Sequence, residues 1–141
     1  MELDRLQEEL AAADSALQAH LATVPAGLGG VDGSVERQAV VASHQRAVRL
    51  LDELDRTADR WFRRRRRRRL EAEADGQVQT TIGQFGGEAQ GVLTGIYLRS
   101  GGRDVLAAVA AALAAVDLRE GVERARRALE LTPGRDRPGG P

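Results

Sequence analysis

Seven consecutive arginines, Arg63, Arg64, Arg65, Arg66, Arg67, Arg68 and Arg69, limit where this chain can place its core. A helix turns about 100° per residue, so seven in a row point in every direction around its axis. A helix packed on several sides cannot accept that, because a buried guanidinium without a partner is very costly to desolvate. The run therefore belongs past the buried part of an element or at an exposed end. Guanidinium groups stay charged and fork onto phosphate oxygens, which makes an exposed run a contact for polyanions.

The formal net charge is zero, yet the signs are unevenly spread. Residues 1–34 hold one arginine against six acids, residues 35–69 twelve against five, and residues 70–141 eight against ten. The local charges are thus −5, +7 and −2. Local sign, more than the total, governs attraction of a polyanion. Every basic residue is arginine, and lysine and asparagine are absent. With the abundant alanine, this reads as a GC-rich coding bias of bacterial character.

The 141 residues suit one domain with a core of Leu, Val and Ala, since only Trp61, Phe62, Phe85 and Tyr97 are aromatic. The lack of cysteine excludes disulfides, zinc thiolates and a Cys nucleophile. No stretch is apolar enough to span a bilayer, and the acidic start "MELDRLQEEL" does not read as a signal peptide. A cytoplasmic protein is expected.

Leu3, Leu6, Leu10, Ala13, Leu17, His20 and Val24 recur three and four residues apart, one apolar helical seam over residues 1–24. "PAGLGGVDGS" over 25–34 reads as a flexible loop. Ser34 is a candidate helix N-cap. A second helix carries Val41, His44, Val48, Leu51, Ala58 and Phe62, with Leu54 and Trp61 widening the stripe. The two helices would form a hairpin, and the wide stripe points to a homodimer. Beyond the arginines, Leu70, Ala72 and Ala74 alternate with acids, and Asp75-Gly76 is a hairpin-turn signal. Val78, Thr80 and Ile82 suggest a second strand, "GQFGGEAQG" a connection, and "VLTGIYL" a third strand with Val92, Thr94, Ile96 and Leu98 on one face. "VLAAVAAALAAV" is a helix with Val105, Val109, Leu113 and Val116 one turn apart. It either continues through Val122, Ala125 and Leu129 or kinks near Asp117. Residues 132–141, "TPGRDRPGGP", are expected to form a disordered tail by composition. The expected fold class is α+β: an N-terminal helical hairpin, a three-stranded antiparallel meander and a C-terminal alanine-rich helix.

The segments "EAEADGQVQTTIG", "VLTGIYL" and "VLAAVAAALAAV", in that order after an amphipathic helix, resemble the YbaB/EbfC family of bacterial nucleoid-associated proteins. The resemblance covers roughly residues 40–130 and makes residues 35–131 the helix–meander–helix domain. It implies a dimer in the nucleoid that binds DNA with little sequence preference. No motif of that family assigns individual contacts, so the expected DNA-binding residues, Arg63 to Arg69, rest on charge alone. Arg46, Arg49, Arg56 and Arg60 are possible support, with Asp52, Asp55 and Asp59 placed to neutralise them locally.

Other features weigh less. Trp61 and Phe62 could stack on unpaired bases, but as a continuation of the helical seam they are expected to pack against the strands or a partner. His20 and His44 fall at seam positions without convergent partners, so they are read as register-setting. Ser43 beside His44 is no triad, because neighbouring helical residues diverge. Glu71, Glu73 and Asp75 read as a solvated face and not a metal site. The glycine-rich "GQFGG" and "SGGRD" lack the context of a phosphate or dinucleotide loop. No catalytic residue, cofactor or metal is expected, and no enzyme. Two alternatives accompany DNA binding. The seam within residues 3–24 could dock a helical protein partner, or the acidic first helix could fold onto the arginine run and mask it.

Overall fold

The structure is a computed structural model and describes residues 2–28, 37–57 and 60–132. Its helices are α1 (Glu2–Leu21), α2 (Arg37–Arg56), α3 (Arg64–Gly83), α4 (Gly87–Ser100) and α5 (Gly102–Leu131). A short 3-10 turn, Trp61–Arg63, leads into α3. Among the described residues there is no strand.

Helix α5 organises the rest. Its 30 residues run unbroken through Asp117 and Gly121, a length of about 45 Å at 1.5 Å per residue. Alanine favours helix and leaves room for neighbours on several sides. Helices α1, α2, α3 and α4 all pack against it, and Val105, Val109, Ala112 and Ala115 are buried beneath them.

The seam of α1 lies on α5, with Leu17 buried and the other seam residues half-buried. His20 Nε2 donates to the Ala111 carbonyl at 2.8 Å. The expected α1–α2 hairpin is contradicted: the two helices do not contact each other. The apolar length of the seam found a longer, smoother partner in the alanine-rich helix some ninety positions away, as His20 and Ala111 show. The following loop is docked as far as it is described. Gly27 has φ +94°, and a Cβ there would meet Val92 Cγ2 at 2.6 Å. This tight turn inserts Leu28, only 1% exposed, into the core. The candidate cap Ser34 and residues 29–36 lie outside the described residues.

Helices α2 and α3 form the hairpin that the chain does contain. Ser43 bonds across to Thr81 and Glu53 to Arg66, so the helices run antiparallel. The buried stripe of α2 is Val40, Ser43, Ala47 and Leu54. Val41, His44, Val48 and Leu51 flank it, half-buried. His44 Nε2 donates to the Leu106 carbonyl at 2.9 Å, so both histidines fasten helices to α5. Two buried hydroxyls are satisfied in one chain of bonds: Gln77 Nε2 donates to Ser43 Oγ at 2.8 Å, Ser43 to Thr81 Oγ1 at 2.6 Å, and Thr81 to the Gln77 carbonyl at 2.9 Å. Such complete pairing is what makes buried polar groups tolerable.

The three-stranded meander, and with it the α+β class, is contradicted. Residues 70–83 belong to α3 and 87–100 to α4. Leu70, Ala74, Val78, Thr81 and Ile82 are buried at helical spacing, while Ala72 and Thr80, expected on the strand face, are exposed. Asp75-Gly76 makes no turn; Gly76 sits mid-helix on the exposed side, with nothing within 4 Å of its Cβ position. In α4 the buried residues are Ala89 and Leu93, with Ile96 and Tyr97 half-buried, again a helical face. The turn between α4 and α5 is made by Gly101 at φ +87°, whose N–H caps the Tyr97 carbonyl. The segments that resembled the nucleoid-protein family therefore lie on α3, α4 and α5, and the fold which that resemblance implied is not the one adopted.

Candidate nucleic-acid interface

The arginine run opens α3. Arg63 closes the 3-10 turn, and Arg64 to Arg69 form the first turn and a half of the helix. At about 100° per residue, Arg64, Arg68, Arg65 and Arg69 fall in that angular order across an arc of about 140°. Arg66 and Arg67 fall on the opposite side, with buried Leu70 between them in projection.

The structure uses the two sides differently. Arg66 pairs with Glu53 of α2 at 2.7 Å. Arg67 donates Nη1 to the carbonyls of Leu54 at 3.1 Å and Thr57 at 2.9 Å, and lies 3.6 Å from Glu71. Its guanidinium closes the C-terminal end of α2, where backbone carbonyls lack helical partners and the dipole favours a cation. Among the described residues, Arg64, Arg65, Arg68 and Arg69 form no ion pair or hydrogen bond, and all four are exposed. A helix thus accommodates six arginines in sequence because α2 ends alongside and pairs the two that point toward it.

The free arginines sit where a helix least favours them. The first turn of α3 carries no acid, and no side chain caps it. Its unpaired N–H groups and positive dipole end repel cations. Charge of one sign is therefore concentrated at this end, where Glu53 and Glu71 compensate Arg66 and Arg67 but not the other four. A shallow cleft of about 290 Å³ is lined by Arg64, Arg67, Arg68 and Glu71.

Two expectations about the surroundings are corrected. Trp61 and Phe62 do not pack against the rest of their own chain: they are 80% and 60% exposed, and among the described elements the turn that carries them contacts only α3. The α2 seam cannot continue into them, because α2 stops at Arg56. Phe62 instead holds Arg63 over its ring, the guanidinium carbon 5.7 Å from the centroid. Nor, among the described residues, are Arg46, Arg49 and Arg56 of α2, or Arg60 beyond it, neutralised in place. All four are exposed and form no ion pair or hydrogen bond among those residues, while Glu53 and Asp55 pair with Arg66 and Arg103 of other helices. Asp59 and Ala58 lie outside the described residues.

The masking arrangement is also absent: α1 packs on α5 and makes no contact with α3. The seam of residues 3–24, expected to be open to a helical protein partner, packs on α5, with Leu17 buried and the other seam residues half-buried. Glu71, Glu73 and Asp75 do not converge on a metal position. Glu71 faces Arg67, and Asp75 accepts from the Tyr97 hydroxyl and from Gln79. Among the described residues no three His, Asp or Glu side chains are grouped to hold an ion, and no helix is long and apolar enough to cross a membrane.

The sequence did carry a signal for the division within the run. Extending the buried series Ile82, Val78, Ala74 and Leu70 backward by one turn reaches Arg66 and Arg67, the two inward arginines. Compared with protein-family models, curated proteins and solved structures, the chain matches none.

Proposed function

We propose that the chain binds nucleic acid without sequence preference, through phosphate contacts from Arg64, Arg65, Arg68 and Arg69. The observation that supports this most is the arc of four exposed guanidinium groups without a partner among the described residues. An anionic backbone would supply the charge that this end of α3 lacks, and guanidinium forks match phosphate oxygens irrespective of base. Arg63, Arg60 and Arg56 lie close by in sequence and can extend the track. Arg66 and Arg67, spent on α2, are assigned to the fold.

The arc is complete in one chain, so this reading does not depend on a second copy; a homodimer would present it twice. Gel shifts on unrelated sequences test the reading. Replacing the four free arginines together with Gln should weaken binding sharply at a given salt concentration, whereas Arg66→Gln should retain it. Equal shifts by the wild type and the fourfold variant would remove the proposal.

A further inference from the structure

The arginine arc accounts for affinity but leaves unexplained the two bare aromatic rings leading into it. Isolated exposed apolar side chains are ordinary. Here, however, Trp61 and Phe62 are consecutive, constitute half of the four aromatic residues of the chain, and adjoin the largest concentration of charge. Among the described elements their turn contacts only α3, so the fold gains little from them.

Resting on the phosphate reading above, we infer that this surface selects unpaired strands, with bases stacked on Trp61 and Phe62 and the phosphates beside them held by the arginine arc. An unpaired base offers its π-face to an aromatic ring, and a duplex covers that face. Arg63 already lies over the Phe62 ring, so the turn brings guanidinium and ring planes into one stack-forming group. Every base has such a face, which keeps the contact independent of sequence.

An anionic bilayer also attracts tryptophan and arginine. A helix lying in a membrane surface needs an apolar face along its length. Beyond the arginines, the solvent side of α3 presents Glu71, Glu73, Asp75, Gln79 and Thr80, acidic and polar residues that would oppose an anionic surface. The observations therefore favour a strand, which can touch only the first turns, over a plane, which would meet the whole helix.

Trp61 is the sole tryptophan, so its emission reports on this surface directly. The full chain is titrated with a short mixed-sequence single strand, with the same sequence as duplex, and with phosphatidylserine-containing vesicles. The expected result is quenching by the single strand, tighter binding of single strand than duplex, and no response to vesicles. By fluorescence anisotropy of a labelled strand, Trp61→Ala and Phe62→Ala should each weaken single-strand binding by about 5- to 150-fold, with duplex binding almost unchanged. Circular dichroism checks that both variants keep their helices, as exposed positions should. Equal affinity for both forms, with steady Trp61 emission and insensitive variants, overturns the inference and leaves the phosphate reading intact. A blue shift on vesicles without response to either nucleic acid, or no binding to anything, overturns both.

Discussion

Arg67 and Arg64 are three residues apart in the same run, yet their replacement should move stability in opposite directions. Arg67 supplies two charge-assisted hydrogen bonds to the last carbonyls of α2, from a side chain 31% exposed. A hydrogen bond to a charged group contributes about 1.5–3 kcal/mol when well buried. Partial exposure lets water replace part of this, so Arg67→Gln should cost about 1–2 kcal/mol in total. For a chain of this size that lowers Tm by about 3–8 °C. Arg64 has no partner among the described residues and sits at the positive end of the α3 dipole. Its replacement with Gln should raise stability by about 0.3–1 kcal/mol at low salt, an effect that fades as salt screens it. Urea and thermal unfolding of both variants, followed by far-ultraviolet circular dichroism, measure the two changes. Arg67→Gln matching the wild type, or Arg64→Gln proving the more damaging, would refute the division of the run into a structural and a free side.

Further changes probe the fold that presents the site. Gly27→Ala combines a positive φ with a 2.6 Å approach to Val92 and should destabilise by about 1–3 kcal/mol, read as a lower urea midpoint. Thr81→Val interrupts the closed hydroxyl chain and leaves the buried Ser43 hydroxyl without its acceptor, for a loss of about 1–3 kcal/mol in the same assay. Leu17→Ala opens the α1–α5 contact at its one buried seam residue and should cost about 2–4 kcal/mol. Because α1 does not touch α3, Leu17→Ala should leave nucleic-acid affinity unchanged. A gain in affinity would revive a masking role for the acidic helix.

What the sequence made legible, and what it hid, follows from the physics of each segment. The seam of α1 was plain because large Leu side chains recur at strict spacing, but a seam does not name its partner; α5 was chosen over α2 by shape at a distance. The exposed setting of the arginines followed from charge density alone. Residues 70–98 misled because Leu70, Ala72 and Ala74 satisfy a two-residue period while Leu70, Ala74 and Val78 satisfy a helical one. Alanine at 72 and 74 cannot say which is buried. The β-branched Val78, Thr80, Thr81 and Ile82, with Gly76, Gly91 and Gly95, are weak helix formers, so the burial of Val78, Thr81 and Ile82 on α3 and of Ala89 and Leu93 on α4 against the neighbouring helices decided the state of these segments. Within the candidate site, the exposure of Trp61 and Phe62 was hidden because the α2 stripe extrapolates through them, whereas the helix ends at Arg56.

The central claim is that Arg64, Arg65, Arg68 and Arg69 meet phosphates while Arg66 does not. The salt dependence of binding measures this as a count. Each phosphate contact contributes about −0.7 on a single strand and about −0.9 on a duplex to the slope of log K against log salt. Replacing the four free arginines with Gln should therefore flatten the single-strand slope by about 2.8 and the duplex slope by about 3.6, and Arg66→Gln should change either by well under one contact. An unchanged slope in the fourfold variant, or a drop as large in Arg66→Gln, would contradict the account.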